Sequence, residues 1–223
     1  MQTPIGRQLR DSRRNLVTAS CVAVFAIAAD LAIVWWVPWP EYLQARWTVA
    51  LVALVAQVRL AGGDLPSLGL VLQPAQGWWY WARMTLWIGL AVAVIIVVGL
   101  GAWVLAGGEL PVYTTPPERI GTSFLLMCVY APLQEETLYR LVLCVPLAVA
   151  LGPWGAIVAS GMAFAVPHVL SGIASPENLF GGLFLAWAYL KSGSISIPLL
   201  LHSLGNLLVL AAQVAGWYWL HAG

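Results

Sequence analysis

Long apolar runs, not strict alternation, organise this chain. One extends from about residue 15 to 37 and closes on "WWVPWP", an aromatic and proline punctuation suited to a membrane interface. A second covers roughly 43–61 and ends near Arg59; a third, 84–106, is the least interrupted of all. Between these two lies "AGGDLPSLGLVLQPAQGWWYWAR", rich in Gly, Pro and Trp, which reads as a stretch lying on the membrane. After the polar loop "GGELPVYTTPPE" the apolar pattern resumes from Arg119 to about Leu151. As a single helix that run would be roughly 50 Å long, against a hydrocarbon core of ~30 Å, so Pro132 is expected to kink it. "GPWG", "SGIASPEN" and "KSGSIS" then delimit segments at about 154–171, 177–191 and 195–214. The pattern predicts an all-α polytopic bundle of about seven or eight helices with one interfacial segment. There is no internal repeat and no extramembrane domain, so residues 1–223 are read as one transmembrane domain.

Composition identifies the solvent. Of 223 residues, 61% are hydrophobic and 9% charged, with mean hydropathy +0.85. Soluble domains carry about 25% charged residues, so most of this apolar surface must face lipid. A net charge of +1 and a single lysine, Lys191, leave no basic patch and exclude nucleic acid as a partner. Cys21, Cys128 and Cys144 lie in apolar runs without metal-type spacing and read as packing residues. Arg7, Arg10, Arg13 and Arg14 precede the first run and place the N-terminus in the cytoplasm. Arg59, Arg83 and Lys191 agree with that orientation, while Arg119 opposes it. The short loops suggest the inner membrane of a prokaryote. Trp35, Trp36, Trp39, Trp78, Trp79 and Trp81 are expected at the interfaces.

Polar chemistry concentrates in the second half of the chain. A charge at mid-bilayer costs at least ~2.5–3.5 kcal/mol on insertion scales and needs a partner or a water-filled cavity. Within the apolar segments stand Glu135, Glu136 and Arg140, then His168, then His202 and Asn206. Glu136 and Arg140 are one turn apart and can pair. Glu135 points about 100° away and shares a face with Tyr139. His202 and Asn206 repeat the one-turn spacing, and the small residues between them admit a neighbouring helix. Singly, each residue reads as polar glue between helices. Gathered on three neighbouring segments, two imidazoles, a carboxylate and an amide form a set able to serve as base, water site and oxyanion donor. Asp30, in the first run, is expected to pair with Arg46 or line a cavity.

These residues resemble a known family. "EETLYR" (Glu135–Arg140), "FAVPH" (Phe164–His168) and "HSLGN" (His202–Asn206) are similar to the EExxxR, FxxxH and HxxxN parts of the CAAX prenyl endopeptidase and bacteriocin-processing (CPBP, Abi) membrane proteases. The resemblance covers roughly residues 117–213. It implies an intramembrane endopeptidase of the glutamate type acting on a membrane-associated peptide or protein. Carried onto this chain, Glu135 would activate the attacking water and His168 would help hold it. His202 and Asn206 would bind the oxyanion, Glu136 and Arg140 would support the glutamate helix, and Phe164 would pack beside the site. No cofactor is implied. His168, His202 and Glu135 would be a permissible zinc set, so a zinc-dependent version stays open. A non-catalytic immunity or partner-binding protein on the same scaffold is another alternative, and a carrier using the buried carboxylates is a third. Pro167, directly before His168, bears on where that ring is placed.

Overall fold

The computed structural model describes residues 4–38, 41–109, 113–172 and 176–221, with backbone only at 96, 176, 177 and 179. Among them all regular structure is helical. A short α1 (Arg7–Arg10) leads into α2 (Arg13–Trp36), whose first turn is capped by the Ser12 hydroxyl accepting from the Asn15 amide at 3.3 Å. There follow α3 (Glu41–Leu60), a 3₁₀ turn (Leu65–Leu68) and α4 (Trp78–Leu105). A further 3₁₀ turn (Pro117–Arg119) opens α5 (Ile120–Phe124), and α6 (Ala131–Glu136) and α7 (Val145–Ala150) come next. The chain closes with α8 (Gly152–Leu170), α9 (Pro176–Ser192) and α10 (Ser196–His221). Five of these, α2, α3, α4, α8 and α10, are long and apolar enough to cross a membrane. The protein is an all-α integral membrane protein.

The structure refines the expected helix boundaries. The stretch read as lying on the membrane is non-helical or 3₁₀ only as far as Gly77; Trp78, six residues ahead of the expected start, already opens α4. Gly77 adopts φ 78°, which turns the chain just before the helix. At Pro132, the expected kink, the chain stays helical and its winding changes on both sides. The residues before it, Leu125–Tyr130, and those after α6, Thr137–Cys144, are wound as π-helix. A proline removes one amide donor, and wide π turns redistribute the carbonyls that donor would have satisfied.

The chain divides into two compact units, one comprising residues 1–75 and 131–200, the other 76–130 and 201–223. In the first, α2 and α3 form an antiparallel hairpin whose buried stripes match in spacing. Ala19, Ala23, Ala26 and Asp30 are buried on α2; Arg46, Ala50, Ala53 and Gln57 are buried on α3. Both stripes follow the i, i+4, i+7, i+11 rhythm of one helix face. Alanine brings the backbones close, which matters where lipid supplies no hydrophobic drive between helices. The stripe has a polar contact at each end. Arg46 meets Asp30, and the Gln57 amide donates to the carbonyls of Ala19 at 2.9 Å and Val142 at 3.1 Å. Leu138, Tyr139, Val142, Leu143 and Phe164 pack against this hairpin.

A second core in the same unit holds down the N-terminus. Ile5, Leu9 and Leu68 are fully buried with Leu141, Cys144, Val145 and Tyr189. The Gly6 amide donates to the Ser67 carbonyl at 2.7 Å, and the Tyr189 hydroxyl donates to that of Leu68. Gly69, at φ 68°, sits where an added Cβ would meet Ile5 and Tyr189 at 2.8 Å. Outside the membrane-spanning helices, Arg7 and Asp64 form an ion pair at 2.7 Å. The Arg7 hydrogen bond holds the Asp64 carboxyl below its ordinary value, and the same pair raises the Arg7 guanidinium.

The second unit contains α4, α5 and most of α10. Its polar contacts tie the loop before α5 to α10: the Thr115 hydroxyl donates to Gln213 Oε1 at 2.8 Å, and the Thr115 amide donates to the Gln213 carbonyl at 3.2 Å. Trp78 and Trp79 are exposed, as are Trp35 and Trp36 of the other unit, in keeping with membrane-facing positions. Trp81 is instead buried, with its indole N–H donated to Gln76 at 3.1 Å; Trp39 lies outside the described residues.

Candidate active site

The expected ion pair at the glutamate motif is present. Arg140 Nε lies 2.8 Å from Glu136 Oε2 and Nη2 lies 3.5 Å from Oε1, with both residues fully buried. A buried pair tolerates lipid only if its remaining donors are also satisfied. Ser160 of α8 does this: its hydroxyl accepts from Arg140 Nη1 at 2.8 Å and donates to the Tyr139 carbonyl at 2.8 Å. That carbonyl belongs to the π-wound segment. The Arg140 guanidinium also lies over the Phe164 ring, 5.4 Å from its centroid.

Glu135 faces the other way, as the helical spacing requires, and is also buried. Its side of the helix carries Tyr139, whose hydroxyl donates to Asp30 Oδ2 at 3.0 Å. Asp30 also accepts from Arg46 through Nε at 2.7 Å and Nη2 at 3.1 Å, and from Gln134 at 3.4 Å. Arg46 Nη2 in turn lies 3.9 Å from Glu135 Oε1. Two neighbouring carboxylates thus meet two different arginines. One arginine is local to the motif, and the other is delivered by α3.

On α8 the sequence FAVPH brings Phe164 and His168 to the same face. Their rings are 4.8 Å apart, and Phe164 also meets Tyr139 edge-on at 5.5 Å. Helix α8 runs through Pro167. His168 Nδ1 is 2.9 Å from the Phe164 carbonyl. A carbonyl can only accept, so Nδ1 carries the proton in the neutral ring and Nε2 presents a lone pair. Phe164 is therefore in contact with Arg140, Tyr139 and His168 at once.

His202 and Asn206 belong to the second unit, one turn apart on α10 and half-buried. Asn206 Nδ2 donates to the Met127 carbonyl at 2.6 Å. Met127 lies in a π-wound segment, so this carbonyl too is served from another helix. One amide hydrogen thereby fixes the plane of the Asn206 side chain, and the second hydrogen points away from that bond.

The first unit thus brings together Glu135, Glu136, Arg140, Phe164 and His168, while the second holds His202 and Asn206. Sequence reasoning passed over Ser160, Gln134 and Gln57 altogether and gave Asp30 either a pairing with Arg46 or a place lining a cavity, with no link from either residue to the glutamate helix. The signal for that pair was readable: an acid and a base occupy corresponding places on two consecutive apolar helices. Ser160 left no such trace, since a serine in a membrane helix is ordinary. His221, at the end of α10, stacks on Trp217 at 4.3 Å and contacts its carbonyl. Within either unit, no three His, Cys, Asp or Glu side chains among the described residues form a metal-holding group.

Residues 118–208, somewhat under half of the chain, match the family model described as Type II CAAX prenyl endopeptidase Rce1-like. All three motif parts, at 135–140, 164–168 and 202–206, fall inside the matched segment. No curated protein and no solved structure matches the chain. The match supports an intramembrane endopeptidase acting on a membrane-associated substrate.

Proposed function

We propose that the protein is a glutamate-type intramembrane endopeptidase without a resident metal, with Glu135 as the base. The observation that carries this reading is that one family match spans Glu135, His168, His202 and Asn206 together, each on an apolar helix where polar residues are costly. In the proposed reaction Glu135 takes a proton from water as its oxygen attacks the scissile carbonyl carbon. His168, presenting Nε2, accepts a hydrogen bond from that water and orients it. The oxyanion of the tetrahedral intermediate is bound by His202 and by the second amide hydrogen of Asn206. As the carbon–nitrogen bond breaks, Glu135 returns its proton to the leaving amine. Losing one oxyanion donor would cost about 2.7–4 kcal/mol of transition-state stabilisation. Glu136, Arg140 and Phe164 hold the glutamate helix against α8, and no step passes through them.

The substrate is a membrane-associated peptide or protein, and a farnesylated peptide ending in a CaaX sequence is the first probe that the family suggests. The protein would act in the inner membrane of a prokaryote with its arginine-rich N-terminus in the cytoplasm. The deciding experiment compares wild type with Glu135→Gln in membranes. Loss of cleavage in the variant, with insertion and thermal melting unchanged, is the expected result. The same mass spectrum of membrane-anchored proteins in both strains, with no probe cleavage by either, would refute the protease reading and favour a partner-binding role. Cleavage abolished by a chelator and restored by zinc would replace the metal-free mechanism by the zinc-dependent one.

A further inference from the structure

We propose that Arg46, held by Asp30, is a positioning residue for Glu135, so that the α2–α3 hairpin is part of the hydrolytic apparatus. The proposal rests on the reading of Glu135 as the base. Arg46 and Asp30 both lie outside the segment that matches the family model. Their contacts with the glutamate helix form a closed circuit. Gln134 and Tyr139, on either side of Glu135 in sequence, donate to Asp30 at 3.4 and 3.0 Å. Asp30 takes two hydrogen bonds from Arg46, and Arg46 faces Glu135 at 3.9 Å. The circuit begins and ends on the same turn of one helix.

The geometry differs from that of a simple neutralising pair. Glu136 and Arg140 bond directly, at 2.8 Å. Arg46 instead commits Nε and Nη2 to Asp30 in the two-point geometry suited to a guanidinium and a carboxylate. It meets Glu135 at ion-pair range, beyond hydrogen-bond length. Such a cation fixes where the Glu135 carboxylate sits through charge, while Asp30 absorbs the directed hydrogen bonds. All five groups of the circuit are buried, so solvent screens this attraction little. A carboxylate that must meet a water and a carbonyl carbon needs its place held closely, because a misplacement near 1 Å can cost about 100-fold in rate.

The test uses the full-length chain in nanodiscs with a farnesylated CaaX peptide as probe. Kinetics and thermal melting are read for Arg46→Gln, Arg46→Lys, Glu135→Gln and the double variant Arg46→Gln/Glu135→Gln. We expect Arg46→Gln to lower kcat roughly 100-fold with KM changed less than about twofold. Arg46→Lys restores the charge and is expected to recover most of kcat. In the Glu135→Gln background, Arg46→Gln is expected to lower the residual rate by less than about threefold, because a residue acting through Glu135 has nothing left to position. Tyr139→Phe, which removes one hydrogen bond to Asp30 and no charge, provides a milder variant should Arg46→Gln fail to fold; it is expected to lower kcat about tenfold. Arg46→Gln with wild-type kcat, equal loss in Arg46→Lys and Arg46→Gln, or undiminished loss in the Glu135→Gln background would overturn the proposal. So would unchanged kcat in Tyr139→Phe if Arg46→Gln does not fold. If wild type leaves the probe intact and the masses of membrane-anchored proteins unchanged, or Glu135→Gln cleaves as well as wild type does, the protease reading itself fails and this proposal falls with it.

Discussion

At residue 136 the helix places a carboxylate where it must be either paired or removed. Glu136 and Arg140 are buried without exposure, and Arg140 also bonds Ser160. Removing one member of a buried pair strands the other charge, at a typical cost of about 3–5 kcal/mol. Arg140→Leu is therefore expected to lower the melting temperature sharply, and Glu136→Gln should do so to a lesser degree. Equal melting of Arg140→Leu and wild type in detergent would show that the pair is not closed in the folded protein. Ser160→Ala leaves Arg140 Nη1 and the Tyr139 carbonyl short of a partner, which typically costs about 1–3 kcal/mol. The one-turn relation of Glu136 to Arg140 was legible in the sequence, because local periodicity decides which side chains share a face. The Ser160 link was not, because the two residues are twenty positions apart and meet only through packing.

At the scale of elements, the α2–α3 hairpin depends on small residues at the crossing. Ala23 and Ala50 are fully buried there. Ala50→Leu is expected to destabilise by about 1–3 kcal/mol through overpacking. Leu51, next along α3 and exposed, should accept Ala with little change in melting, which makes it the control. A more local case is Gly69. Its positive φ and the 2.8 Å approach of Ile5 and Tyr189 to an added Cβ forbid a side chain from two directions. Gly69→Ala should loosen the N-terminal segment, read as faster proteolysis near Arg7 and Arg10. The helices themselves were legible as apolar runs between Gly, Pro and polar punctuation. Their π-wound stretches at 125–130 and 137–144 were not. In both stretches a carbonyl accepts from a side chain of another helix, Met127 from Asn206 and Val142 from Gln57, and periodicity within one helix carries no trace of such contacts.

For the whole molecule, one pH effect follows from the loop ion pair. The Asp64 carboxyl is held below its ordinary value of about 3.9, chiefly by the Arg7 hydrogen bond. A depressed carboxyl contributes stability that is complete above its unfolded value and is lost as pH falls through the folded one. Wild type is thus expected to melt above Asp64→Asn near pH 6, and the two should converge as pH drops below about 4. A gap between them that stays constant down to pH 3 would contradict this assignment. Because the pair is exposed, the gap is expected to shrink with added salt as well.

The amino-acid sequence was sufficient for the membrane class, the all-α apolar bundle, the Glu136–Arg140 pair and the three motifs inside the family match. Each of these is carried by composition or by spacing within a single helix, where geometry follows from the chain alone. Only the tertiary structure decided that Glu135 stands beside an arginine from α3, that Asp30 orients this arginine, and that Ser160 ties Arg140 to α8. These partners are set by which helix faces which, and periodicity along one helix carries no record of its neighbour.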